Sequence, residues 1–170
     1  MIDPSAERMP DGAILLKDLT PWFLAELLRL PELLHPDQPD RVKRRLYPDA
    51  SETDEAIRDE WRRLVHPELF ALLSSATEIV ERDLESLDLG DDLRAGRMVI
   101  PKGHAPAWIS ALNAARLTLS ELYEIGEEEM AAAESGQPVD LGQEKTMALA
   151  RIHLLAWLQE AIILTEHPQP

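Results

Sequence analysis

Four polar side chains, Asn113, Arg116, His153 and Gln159, lie within two long stretches of otherwise mainly apolar helical spacing. A guanidinium offers fixed donors to carboxylate or phosphate, the two amides offer donor and acceptor together, and an imidazole can move a proton near neutral pH. Gathered round one pocket, they would make an enzyme or a small-ligand-binding protein. Asn113 and Arg116 are three apart and share one side of a helix. A polar network tying helices together is the plainer reading of that pair. His153 stands one turn before Trp157, where a partly buried, hydrogen-bonded imidazole is the plainer reading. The second set is Arg41, Lys43, Arg44 and Arg45 with Arg62 and Arg63, the one concentration of positive charge in the chain. It could dock an acidic peptide or a phosphate group on a protein partner. Pairing with the nearby Asp54, Glu55, Asp59 and Glu60 would cancel it.

Other chemistry is poorly supported. The chain has no cysteine, which removes disulfides, thiolate catalysis and cysteine-ligated metal. Glu32 and His35 have the Glu-x-x-His spacing of di-iron bundles, but Pro31 and Pro36 bracket them and no second pair exists. His66-Pro67-Glu68 has the His-x-Glu look of a zinc deaminase without the cysteine half. Gly96 to Lys102-Gly103 lacks the order of a phosphate loop. No catalytic residue, metal ligand or cofactor is therefore expected.

The elements that must position these groups are helical. The last helix, residues 144–165, carries two adjacent apolar seams: Met147, Ala150, Leu154, Trp157, Ala161 and Leu164, and Ala148, Ile152, Leu155, Leu158 and Ile162. A surface helix needs one stripe, so this helix is expected to be the central post of the core, or to cover part of its perimeter in a homodimer. Thr20-Pro21 opens a helix, with Thr as cap and Pro in the first turn; Pro31 and Pro36 end or kink it. Residues 40–47 form a short helix stopped by Pro48. Ser51 and Asp54 resemble a capping box before the stripe Ile57, Trp61, Leu64 and Val65. Pro67 opens a further helix whose stripe runs from Leu69 to Leu87. Residues 105–125 form another, with Trp108, Leu112, Ala115, Leu119 and Leu122 inward. Residues 13–17 and 97–100 read as short strands. The expectation is an all-α, orthogonal or up-down bundle of five or six helices with a small two-stranded β ladder. Residues 1–12 form a flexible N-terminal arm, and residues 13–166 one helical domain with an acidic linker near 127–142.

At 170 residues the chain can bury one substantial core. Its 17 Lys and Arg stand against 32 Asp and Glu, a formal net charge of −15. That charge repels nucleic-acid phosphates and anionic lipid, so neither nucleic acid nor membrane is an expected partner. The first residues lack a basic start and an apolar run, and Arg151, His153, Gln159 and Glu160 interrupt the last helix. A cytoplasmic protein without a bilayer span is expected.

Three blocks carry a family resemblance: Arg45-Leu46-Tyr47-Pro48-Asp49-Ala50 with the acidic helix through Trp61-Arg62-Arg63-Leu64; Ala107-Trp108 through Leu112-Asn113 and Arg116-Leu117; and Leu155-Ala156-Trp157-Leu158-Gln159-Glu160. In that order the chain, from about Gly12 to Leu164, resembles the bacterial domain-of-unknown-function family DUF2017. The resemblance brings no assigned activity. It implies a role near Clp proteolysis, because genes of the family often lie beside one for a Clp-protease adaptor. The expected function is thus a non-catalytic interaction or regulatory protein, with a protein partner such as that adaptor. The rival is a ligand-binding protein or enzyme with its pocket near Asn113, Arg116 and His153.

Overall fold

A computed structural model describes residues 4–90, 95–135 and 141–166. In chain order it runs β1 (Ser5–Arg8), β2 (Ile14–Leu19), α1 (Pro21–Leu28), α2 (Leu30–Leu34), α3 (Asp40–Leu46), α4 (Glu55–Leu64), α5 (His66–Leu84), β3 (Gly96–Ile100), α6 (Ala105–Leu122), α7 (Glu127–Glu134) and α8 (Gly142–Glu166). The chain is mainly helical, as the apolar spacing predicts, with six helices of eight residues or more among the described residues.

The sheet differs from the expected ladder. It has three antiparallel strands in the order β1-β2-β3, and the additional strand comes from the segment read as an arm. Ser5–Arg8 pairs with Ile14–Lys17 of β2, and Lys17 forms an ion pair with Glu7 across the two strands. Arg8 then reaches the far end of the chain, donating to the carbonyl of Glu166 at 3.0 Å and capping α8. Leu16 and Leu19 are three apart, so plain alternation would put them on opposite faces. The register shifts between them, and Asp18 adopts a left-handed conformation (φ 59). This bulge turns both leucines inward, where both are fully buried.

Helix starts follow local chemistry. Thr20 accepts from the Phe23 amide at 3.3 Å, and Pro21 occupies the first turn of α1. The helix breaks at Arg29, with Pro31 in the first turn of α2, and α2 stops at Leu34 ahead of Pro36. Asp54 rather than Ser51 caps α4, accepting from the Ile57 amide at 3.1 Å, while the Ser51 hydroxyl accepts from the Asp54 amide at 3.0 Å. At the other end, α6 stops at Leu122 because Glu124 turns left-handed (φ 52), and the Ile125 amide returns to the Ser120 carbonyl at 2.9 Å.

The acidic segment read as a linker is helical from Glu127 to Glu134, and residues 136–140 fall outside the described chain. Three glutamates in its first turn complement the helix dipole. Glu129 closes the start by accepting from the Gly126 amide at 2.8 Å.

The core lies between the sheet, α1, α2, α6 and the inner seam of α8, with Trp108 at its centre. The α8 seam from Ala148 to Ile162 is buried, whereas its second seam stays largely open at Met147, Trp157 and Leu164. By length and composition alone α8 could cross a membrane, yet its inner seam is committed to α6 and to β1.

Gly96 faces Leu19 across the ladder, and a Cβ there would lie 2.8 Å from a Leu24 methyl and 3.0 Å from the Asp88 carbonyl. Gly96→Ala should therefore cost about 1–3 kcal/mol by overpacking. Chemical denaturation of the variant checks this, and a neutral outcome would mean that α1 yields freely.

Candidate functional site

The middle of α6 lines two adjoining cavities. Its small and apolar residues, Ala107, Ser110, Ala114 and Leu117, form one side of a cleft of about 490 Å³ completed by Leu46 and Tyr47 at the end of α3 and by α5. Leu69, Leu72, Ala76 and Ile79 supply the α5 side, and no charged residue lines the cleft. Next to it, a groove of about 500 Å³ is lined by Arg45 of α3, by Asn113, Arg116 and Glu121 of α6, and by Met130 and Ala131 of α7. Asn113 and Leu117 belong to both. A third recess of about 550 Å³ is walled by Trp22, Phe23, His153, Leu154 and Trp157, with Phe23 and Trp157 edge to face at 5.6 Å.

The four polar residues singled out from the sequence are therefore divided. Arg116 and Gln159 meet: Nη1 donates to Oε1 at 2.8 Å, and the Gln159 amide donates onward to the Ile109 carbonyl at 3.4 Å. This pair holds α6 to α8. Asn113 shares the groove with Arg116 but is exposed. His153 lies in the recess beside the tryptophans, with its Nε2 buried and without a hydrogen-bond partner among the described residues. The four do not converge on a single cavity.

The basic residues are largely engaged with carboxylates, though mostly not with those nearest in sequence. Arg41 donates to Glu124 at 2.8 Å and to the Leu122 carbonyl at 3.0 Å, joining α3 to the end of α6. Arg45 lies 4.0 Å from Glu121, and Arg63 lies 4.0 Å from Glu60. Arg62 grips Asp49 through two bonds of 2.8 and 2.6 Å and holds that carboxyl below the usual carboxylate range. With the Trp61 indole donating to the Pro48 carbonyl at 3.0 Å, it clamps the 47–49 turn against α4. Lys43 and Arg44 are exposed on α3.

Two buried polar centres escaped the sequence reading. Arg151, on the inward side of α8, donates through Nε to Glu26 of α1 at 2.5 Å, with both side chains at least nine-tenths buried. Asp83 of α5 accepts from the Trp108 indole at 2.8 Å and lies 3.0 Å from His104 Nδ1, so one carboxylate ties α5 to the start of α6. Each had a sequence signal: Glu26 follows Phe23 by three and precedes Leu30 by four, and Asp83 follows Val80 by three on the buried stripe. An acid at a core position of an amphipathic helix needs a partner.

Lys145 of α8 holds α7 in place, donating to Glu129 at 2.7 Å and to the Glu124 carbonyl at 2.8 Å. The Lys145 and Gly126 bonds lower the Glu129 pKa from its ordinary value near 4.5. Among the described residues, no group of three or more His, Asp or Glu side chains is placed to hold a metal ion.

A family model described as Domain of unknown function (DUF2017) matches residues 10–165, nearly the whole chain. Comparison with curated proteins and with solved structures finds no match.

Two measurements probe these contacts. Arg151→Met should cost about 1–3 kcal/mol by leaving buried Glu26 with only the half-exposed Arg29, 3.1 Å away, as its counterion, and adding Glu26→Leu should return much of it; denaturation of both variants checks this. Because the folded-state pKa of Glu129 is lowered, its contribution is present above the unfolded value and lost as pH falls through the folded one. NMR titration of α7 amides should show that transition below pH 4.5, and Lys145→Met should weaken it.

Proposed function

This chain belongs to the DUF2017 family, and we propose that it is a non-catalytic interaction protein of the bacterial cytoplasm, taking an amphipathic helix of a partner protein into the α3–α5–α6 cleft. The observation that supports this reading is the cleft itself. Two helices line it at 3-4 spacing, with small residues such as Ala76, Ala107, Ser110 and Ala114 among larger ones. A third helix laid between them packs its ridge into their groove. The uncharged lining suits an apolar ridge, and the −15 chain around it favours basic flanks on the incoming helix.

Exposed apolar surface at the cleft mouth supports the same reading. Leu72 is 69% exposed and Phe70 46%, and the neighbouring α4 leaves Ile57 and Leu64 open to water. Apolar side chains gathered at one end of a fold mark an interaction surface more often than isolated ones do. The family resemblance suggests the partner class, a component or adaptor of the Clp protease system. In that role the protein would present or withhold a partner rather than transform a substrate. Exposed Lys43 and Arg44 would then contribute to partner choice at the edge.

Leu72→Asp places a charge at the mouth without disturbing buried packing, so the variant should fold normally. Quantitative affinity capture of wild type and Leu72→Asp from the source bacterium tests the proposal. A Clp component or adaptor bound stoichiometrically to wild type, and lost at least tenfold in the variant, is the expected result. Such a partner held equally by both proteins would sink the cleft as its site.

A further inference from the structure

The Arg116 groove carries an inference independent of what the cleft binds. Seven other arginines lie within ion-pair distance of a carboxylate. Arg116 has no carboxylate partner among the described residues, in a chain with nearly twice as many acids as bases. Its described partner is the neutral amide of Gln159, which fixes the guanidinium in place. Its Nε is buried with no acceptor. A partly buried guanidinium that lines a cavity and has no carboxylate partner among the described residues can take an anion there.

The cavity has the form such a ligand needs. It lies within the size range of small-molecule sites at about 500 Å³, and Arg45 and Asn113 line it beside Arg116. Leu117, Ile125, Met130 and Ile152 supply apolar lining. Two carboxylates weigh against an anion here, Glu121 and the exposed Glu127. Glu121 already engages Arg45, but at 4.0 Å this is among the longest ion pairs in the fold. A better-placed oxyanion can draw Arg45 from it.

We infer that the groove between α3, α6 and α7 binds an amphiphilic oxyanion, a carboxylate or phosphate on an apolar body, with Arg116 and Arg45 on the head and Leu117, Met130 and Ile152 around the body. Calorimetry and NMR with octanoate, octyl phosphate and octan-1-ol test this on the full chain. One of the two anions should bind saturably, shifting α6 and α7 amides, and which one binds distinguishes carboxylate from phosphate. Octanol should bind at least about tenfold more weakly, as should either anion to Arg116→Gln, since each case removes a charge-assisted bond. Glu121→Gln frees Arg45 at a surface position and should tighten binding several-fold. Failure of both anions to bind, octanol binding as tightly, or undiminished binding to folded Arg116→Gln would each overturn the site. Should Arg116→Gln not fold, unchanged or weaker binding to Glu121→Gln would overturn it equally.

Discussion

A guanidinium on the inward side of a core helix can be tolerated only where another buried group neutralises it, and Arg151 meets that condition in one place, against Glu26. This requirement fixes how α8 lies. With Arg151 held to α1, the apolar seam from Ala148 through Ile162 can face only α6 and the sheet. The pair adds little net free energy against an apolar alternative, because both ions lose their hydration. What it adds is a preferred rotation and register for a helix whose two apolar seams would otherwise compete for the interior.

The surface follows from that choice. Since α8 commits one seam, the other stays open beside Trp22 and Trp157, and the polar residues on its flank divide between two sides. Gln159 turns towards α6 and captures Arg116, while His153 falls beside the tryptophans. Small residues on α6 allow the neighbouring elements to approach closely, with Ala111 and Ala115 fully buried. The same economy of side-chain bulk leaves space along its outer side. The cleft and the groove are therefore two portions of one under-filled α6 flank, joined at Asn113 and Leu117.

The long helices were legible in the sequence because burial imposes their period. Trp108, Leu112, Ala115 and Leu119 are all fully buried, as their spacing implies. β1 was not legible: Ser-Ala-Glu-Arg has little intrinsic strand preference and becomes a strand through pairing with β2. α7 was hidden because its stability comes from dipole and cap chemistry and from Lys145 rather than from an apolar stripe. Of the site, Asn113 and Arg116 could be placed on one helix side from spacing alone. The bond from Arg116 to Gln159 spans 43 residues and depends on the rotation of α8, which local pattern does not encode. The acids on core stripes, Glu26 and Asp83, were the signals available and unused.

The order of the chain also sets a timetable. Glu26 has Arg29 three residues on, but meets its buried partner Arg151 only 125 residues later, and the buried side of α6 is covered by a helix made after it. During synthesis the emerging chain must carry a bare tryptophan-leucine surface until α8 leaves the ribosome. Contacts of such long sequence separation form slowly. In that interval the intermediate exposes more apolar surface than the finished molecule, so its survival in the cell is governed by how quickly the last helix arrives.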